Sequence, residues 1–464
     1  MDTHTIIGPP GTGKTRKIEH IIRENGISDY LYLVYNVGMA QGARARIEDD
    51  RKKIGTIHSI MAQKNLAGGF IKDSELLEFA RMYGMSAPKK TISASGETDL
   101  ERFLRYYDLV VNMMRKPFQP MDERMSMPYL YDVYEKWKEK QGRWDYTDIL
   151  REAAQHTYYT ETLFIDEAQD LSPLMWKIVD NISCNERYIV GDPHQSINSF
   201  RGVRVQDFTG RMKNVDTLRE SYRFGDNVRV LADRILGSAK IVSADYRGLG
   251  ESQIGLNSMQ TFVRLEGSKA ILCRTNALAG YVANRIPFAM VPISPEHSYG
   301  NGWTKTTFKV AGIMRKWPNV QPDEFRYIVE HSPADLWVRG TKARVKKEAT
   351  LFSYDLMAKK IGAAEIIQKM RIDLKVRENA MKMLTKDIPV IQVDTIHASK
   401  GLEWEHVMVM TDFPSKMEIT DEERRLFYVA STRARKTLDF QYAGFYSSSF
   451  HIPGHAEILN PLSY

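Results

Sequence analysis

Residues 3–22 read THTIIGPPGTGKTRKIEHII. A short β-branched and apolar run, Thr3 to Ile7, enters a stretch of glycines and prolines. It leaves as a lysine, a threonine and an amphipathic pattern, Ile18, Ile21 and Ile22. Gly8, Pro9, Pro10, Gly11, Thr12, Gly13, Lys14 and Thr15 satisfy the GxxxxGK[ST] spacing of a phosphate-binding loop. Glycines let successive backbone N–H groups turn inward on phosphate oxygens, and the helix that follows adds the positive end of its dipole. Lys14 is expected on the β and γ phosphates and Thr15 on Mg²⁺. Strand, loop and helix in this order predict an α/β fold with a parallel sheet. The loop is silent on what the nucleotide is spent on.

The second half of the expected site is TLFIDEAQDLSP, residues 162–173. Leu163, Phe164 and Ile165 read as a strand buried on both faces, ending in Asp166 and Glu167. Ligands of open α/β sheets gather at the carboxyl ends of strands, which brings both acids beside the phosphate loop. Asp166 is expected to hold Mg²⁺ through water and Glu167 to polarise the attacking water.

Composition narrows the partner. The 464 residues allow two to four domains, and 43% hydrophobic with 27% charged residues is ordinary for a globular chain. A net charge of +7 favours a polyanionic partner. The two cysteines, Cys184 and Cys273, fit neither a zinc cluster nor a disulfide framework, so a reducing compartment is expected. With no signal-peptide pattern and no apolar run of bilayer length, the expectation is a soluble, cytoplasmic protein with no membrane partner.

From DEAQD onward the chain resembles superfamily 1 helicases of the UvrD, Rep and PcrA type. The blocks YIVGDPHQSINSFRG, LRESYRFGDNVRVLADRIL, AILCRTNALA, VIQVDTIHASKGLEWEHVMVM and DEERRLFYVASTRARKTL follow in the order of that family. Upstream, YLVYNVGMAQGARARI, IGTIHSI and WDYTDIL match the motifs between the phosphate loop and DEAQD. The resemblance implies two RecA-like motor domains with parallel sheets, each carrying a mainly helical insert. The first motor domain is expected at 1–61 and 144–214 with an insert at 62–143; the second at 215–291 and 387–464 with a basic insert at 292–386.

It also implies roles. Arg223 and Arg433 would reach the γ-phosphate from the second motor domain, and Gln195 would sense it. Tyr222 would stack on the base and Glu403 reach the ribose. Phoshoryl transfer needs positive charge on the γ-phosphate and little covalent help, which is why arginines carry such weight. Arg424, Arg425 and Arg435 are read as structural. A track for single-stranded DNA needs aromatic platforms and phosphate donors. Phe200 with Arg201 is the sharpest such pair, Tyr35 a further aromatic, and Thr56, His58, Arg274, Asn276, Thr395 and His397 would line the backbone.

The implied activity is an ATP- and Mg²⁺-dependent DNA helicase, a monomer moving 3′ to 5′ on single strands and at single/double-strand junctions, with a replication or repair partner. A translocase that strips proteins or unwinds only with a partner, and a 5′ to 3′ motor, stay open. The second insert is short for the family, and its run Lys342, Arg344, Lys346, Lys347 would grip duplex phosphates or be a solvated face. Only Met1 to Thr5 precede the first strand, leaving no room for the family's adenine-reading glutamine. Relaxed base selectivity is expected from that. Val37 and Gly38 also depart from the polar and basic residues usual after the second strand.

Overall fold

The computed structural model describes residues 1–47, 53–65, 69–87, 98–120, 125–242, 245–255, 257–285, 289–290, 305–315, 322–331, 363–372, 374–385, 391–411 and 419–442. Two six-stranded sheets dominate it. The first is built from β1 (Asp2–Ile7), β2 (Tyr30–Val34), β3 (Ile54–Thr56), β4 (Thr162–Ile165), β5 (Glu186–Gly191) and β6 (Val215–Thr217). These strands lie in the order β6-β1-β5-β4-β2-β3, every pair parallel. All of β2 and β4 is buried, as a parallel sheet covered on both faces requires. Strand alternation divides the side chains: Leu31, Leu33, Leu163 and Ile165 pack into one core, Tyr30, Tyr32, Val34 and Phe164 into the other. The order has one consequence for function. Because β1, β5 and β4 are neighbours, the loops leaving their carboxyl ends emerge side by side.

The helices Asp73–Met82, Asp99–Asn112 and Met127–Gln141 form the first insert. Their aromatic stripe is core: Phe79, Phe103, Tyr107, Tyr134 and Trp137 are buried against one another. The insert is tied to the helix Tyr146–Ala153 by Lys138, whose Nζ donates to Asp145 Oδ2 at 2.9 Å, Asp148 Oδ1 at 2.7 Å and the Tyr107 hydroxyl at 2.6 Å.

The second sheet contains β7 (Lys269–Cys273), β8 (Ala289–Met290), β9 (Ile391–Thr395), β10 (Trp404–Thr411) and β11 (Ala434–Tyr442), in the order β11-β10-β7-β9-β8, all parallel. A two-residue strand, Gln253–Ile254, lies outside β11. The helices Lys305–Arg315, Pro322–Glu330, Ala363–Lys369 and Leu374–Thr385 share a separate core around Val310, Phe325, Ile328 and Ile367. The basic run Lys342 to Lys347 lies outside the described residues. Among the described residues no helix is long and apolar enough to cross a membrane.

The chain divides into two compact units, one holding Met1–Gln253 and Glu418–Thr432, the other Ile254–Met417 and Arg433–Leu459. This differs from the motor-domain boundaries expected at 214/215 and 387–464. The reason lies in strand pairing. β6 adds to the first sheet beside β1, with Thr5 opposite Val215, and Leu218 N donates to Ile7 O at 2.8 Å. The segment after residue 214 therefore continues into the first unit, and the helix Asp421–Ser431 joins it there.

Candidate functional site

The phosphate loop leaves β1 and closes on Gly13, whose φ of 84° is glycine territory, before the helix Lys14–Glu24 begins. Lys14 is buried, with Nζ donating to Gly8 O at 2.7 Å and Pro9 O at 3.2 Å. Thr12 Oγ1 donates to Pro9 O at 2.9 Å. The loop is curled around its own lysine. Residues 221–223 press on its outer side: Ser221 Oγ donates to Pro10 O at 2.7 Å and Tyr222 N to Gly11 O at 3.1 Å. A Cβ on Gly11 would stand 2.5 Å from Arg223 Cβ, so only glycine admits this approach. Arg223 is thereby carried on the flank of the phosphate loop. Tyr222 is 66% exposed, its hydroxyl donating to Glu220 Oε2 at 2.7 Å.

At the end of β4, Asp166 Oδ2 accepts from Thr15 Oγ1 at 2.8 Å and from the Tyr32 hydroxyl at 3.0 Å. Burial, and then the neighbouring Glu167 charge, push its carboxyl up to about 6. Glu167 adopts a left-handed φ of 55°, a conformation that costs a non-glycine residue about 1–3 kcal/mol and collects at functional sites. The turn aims Glu167 away from the direction β4 would have given it, and its Oε2 accepts from Gln169 Nε2. Thr15 and Asp166 offer two oxygen ligands close together. That suits a small hard cation which keeps waters and takes its remaining oxygens from phosphates. Among the described residues no cluster of three or more His, Cys, Asp or Glu forms a protein-only metal cage.

Between these two loops, β5 delivers Asp192 and Gln195. Gln195 is buried, its Nε2 donating to Asp192 Oδ2 at 2.9 Å, and Asp192 N donates to Gln169 Oε1 at 3.0 Å. Gln169 and Asp192 thus link the loops after β4 and β5, and Thr15 with Asp166 ties the phosphate-loop segment to the first of them. The same loop runs on to Phe200 and Arg201. Phe200 is 45% exposed, with the Arg201 guanidinium 5.6 Å from its ring centre. Arg201 Nη1 and Asn198 Nδ2 donate to the Tyr35 hydroxyl at 3.3 and 3.2 Å. Burial and the Arg201 charge push the His58 imidazole down to about 4, so it is neutral near pH 7. His58 is a ring and a hydrogen-bonding group there, not a cation for phosphate. Thr56 Oγ1 accepts from Ser59 N at 3.1 Å at the start of the helix Ile57–Asn65.

In the second unit, Cys273 pairs with Thr395 across β7 and β9, which sets Arg274 and His397 at neighbouring carboxyl ends. Asn276 begins the helix Asn276–Arg285, and Thr395 Oγ1 accepts from Ala398 N at 3.3 Å. Glu403 pairs with Arg435 at 3.3 Å. Arg433 is buried, with Nη1 donating to Leu402 O at 3.3 Å.

The structure adds residues that sequence reasoning passed over. Tyr32 lies in the buried strand β2, yet its hydroxyl meets Asp166. Asn198 joins Tyr35 to Asp170, with Nδ2 3.0 Å from Asp170 Oδ1. Tyr146, 70% exposed, stacks on Phe70 at 5.3 Å and meets the edge of His58 at 6.3 Å. An exposed tyrosine opening a helix was the available signal for that last group.

Comparison with known proteins agrees with this arrangement. The family model described as an AAA domain matches residues 1–201, and the UvrD-like helicase C-terminal domain matches 349–444. The F-box DNA helicase 1 of Gallus gallus is 23% identical over 501 residues, spanning 93% of this chain and 46% of that protein. The ATP-dependent DNA helicase UvrD2 of Mycobacterium tuberculosis is 24% identical over 330 residues, 60% of this chain and 47% of its own length. The ATP-dependent DNA helicase Rep of Escherichia coli is 31% identical over 128 residues, 25% of this chain and 18% of its own. The chain spans about half the length of the first two curated relatives it matches. Two family models fall in the same order as the motifs, and relatives run through both: the chain is similar to UvrD-type superfamily 1 helicases from its AAA-domain match at 1–201 to its UvrD-like C-terminal match at 349–444.

Proposed function

We propose that the protein is an ATP-driven DNA helicase or translocase that moves along single-stranded DNA from 3′ to 5′. The observation that carries this is the continuous loop from Asp192 to Arg201, which starts beside the phosphate loop, where Gly8 N donates to Gly191 O at 3.3 Å, and ends at an exposed aromatic–arginine pair. A nucleotide switch with no track has no use for such a connection.

Gly8 to Thr15 cradle the triphosphate through backbone N–H groups, and Lys14 leaves the Gly8 and Pro9 carbonyls for the β and γ phosphates. Thr15 and Asp166 would hold Mg²⁺, which would supply positive charge against the triphosphate. Glu167 accepts a proton from the attacking water. Arg223 and Arg433 stabilise charge developing on the γ-phosphate, an effect worth roughly 10³–10⁵ in rate for arginines of this kind. Gln195 registers the γ-phosphate, Tyr222 stacks on the base and Glu403 reaches the ribose. Phe200, Arg201 and Tyr35 grip the strand, with Thr56, His58, Arg274, Asn276, Thr395 and His397 along its backbone. The polarity follows the third-motif sequence GDPHQSINSFRG, which lacks the prolines after glutamine found in motors of opposite direction.

Hydrolysis with and without an oligothymidine tests this. Wild type is expected to hydrolyse ATP faster with the oligonucleotide, and Lys14→Ala not at all. Phe200→Ala should keep its basal rate and bind the oligonucleotide more weakly by about 1–3 kcal/mol. Wild-type hydrolysis indifferent to DNA would overturn the reading.

A further inference from the structure

The helix Asp421–Ser431 grips the Asp192–Arg201 loop at three points along one stripe. Ser199 N donates to Glu422 Oε1 at 3.0 Å, and Ser199 Oγ also donates to this carboxylate. Arg425 Nε donates to Ser196 O at 2.9 Å. The Tyr428 hydroxyl donates to Asp192 Oδ2 at 3.2 Å, the same oxygen that holds Gln195 Nε2. Residues 422, 425 and 428 succeed one another at three-residue steps, which is one face of a helix and about 4.5 Å of rise per step. The loop partners descend in register: 199, 196, 192.

The helix is firmly made. Thr420 caps it by accepting from Glu423 N at 3.2 Å, and the Glu423 carboxylate returns to Thr420 N. The loop has no regular structure beyond two single turns, Pro193–Gln195 and Ser199–Arg201, one under each candidate function. His194 adds a further anchor between them: its Nε2 accepts from Ile241 N at 3.0 Å, and its ring meets the Tyr428 edge at 5.8 Å. The loop is thus held to the helix along its length.

We propose that Glu422, Arg425 and Tyr428 are positioning residues that form a splint, transmitting a change at Gln195 to Phe200 and Arg201. None of the three is among the residues assigned above to nucleotide or strand. They fix the spacing between the residue that registers the γ-phosphate and the pair that grips the base. A loop without the splint absorbs a shift at one end by bending in the middle. The inference rests on the reading of the chain as a DNA motor.

The test uses the full chain with Glu422→Ala, Glu422→Gln and Tyr428→Phe, each first shown to keep the wild-type melting temperature. Three quantities are measured: basal ATP hydrolysis, oligothymidine affinity by fluorescence anisotropy, and stimulation of hydrolysis at saturating oligothymidine. Glu422→Ala and Tyr428→Phe should keep the first two and lose about tenfold in stimulation, the scale of one hydrogen bond to a charged group. Glu422→Gln retains an acceptor for Ser199 N–H and should recover most of the stimulation. Unchanged stimulation in Glu422→Ala and Tyr428→Phe overturns the splint, as does a parallel fall in basal and stimulated rates, which marks a merely structural role. Wild type unstimulated by DNA overturns instead the motor reading beneath it.

Discussion

Asp166 shows how a single residue sets function against stability. Its carboxyl sits at the end of a buried strand, held up to about 6 by burial and by Glu167. The folded protein therefore keeps this proton more tightly than the unfolded chain, in which an aspartate titrates near 3.8. As pH rises from about 4 to about 6 the folded state loses ground, by up to roughly 3 kcal/mol, and the loss then stays constant. Asp166→Asn should consequently melt higher than wild type at about pH 7.5 without nucleotide or Mg²⁺, by about 1–3 kcal/mol, while hydrolysing nothing. Near pH 4 the difference should vanish, and a less stable Asn variant at the higher pH would contradict the account. The aspartate itself was legible, because an apolar run ending in two acids has few other uses beside a phosphate loop. Tyr32 was not, since a tyrosine in a buried strand carries no mark saying where its hydroxyl lands. The neutrality of His58 was equally hidden, because it comes first from burial in the fold and then from Arg201, far away in sequence.

At the scale of elements, the strands were the most readable feature. Continuous apolar runs such as Tyr30–Val34 and Thr162–Ile165 announce a parallel sheet buried on both faces. The amphipathic helices of the first insert were readable for the same reason, and their aromatic stripe is core. The polar clamp joining that insert to the helix Tyr146–Ala153 was not legible, because Lys138, Asp145, Asp148 and Tyr107 meet only after folding. Lys138 is 5% exposed and lies 2.9 and 2.7 Å from two carboxylates. Lys138→Ala leaves both acids buried against each other, a change that costs about 3–5 kcal/mol when one partner of a buried pair is removed. Asp145 also caps the helix, accepting from Thr147 N at 2.9 Å, so the damage should spread to Tyr146. Trp137 and Trp144 report on this region, and their fluorescence should show an earlier urea midpoint in Lys138→Ala. An unchanged midpoint would mean that the clamp contributes little.

For the whole molecule, motif order foretold two parallel sheets and two helical inserts, and both sheets are present. Motif order did not foretell where the compact units divide. Residues 215–253 and the helix Asp421–Ser431 pack with the first sheet because β6 pairs with β1 and because the helix holds the Asp192–Arg201 loop. Conserving a motif's chemistry does not fix which unit carries it; strand pairing does. The phosphate loop, the Asp192–Arg201 loop and the Phe200–Arg201 pair consequently share one unit. The account's central claim is that hydrolysis in this pocket moves the protein along a single strand. The direct measurement is displacement of streptavidin from biotin at one end of an oligonucleotide, in the presence of ATP and Mg²⁺. The account predicts rapid displacement from the 5′ end, slow spontaneous loss from the 3′ end, and neither accelerated in Lys14→Ala. Vigorous DNA-stimulated hydrolysis with no displacement from either end would contradict it.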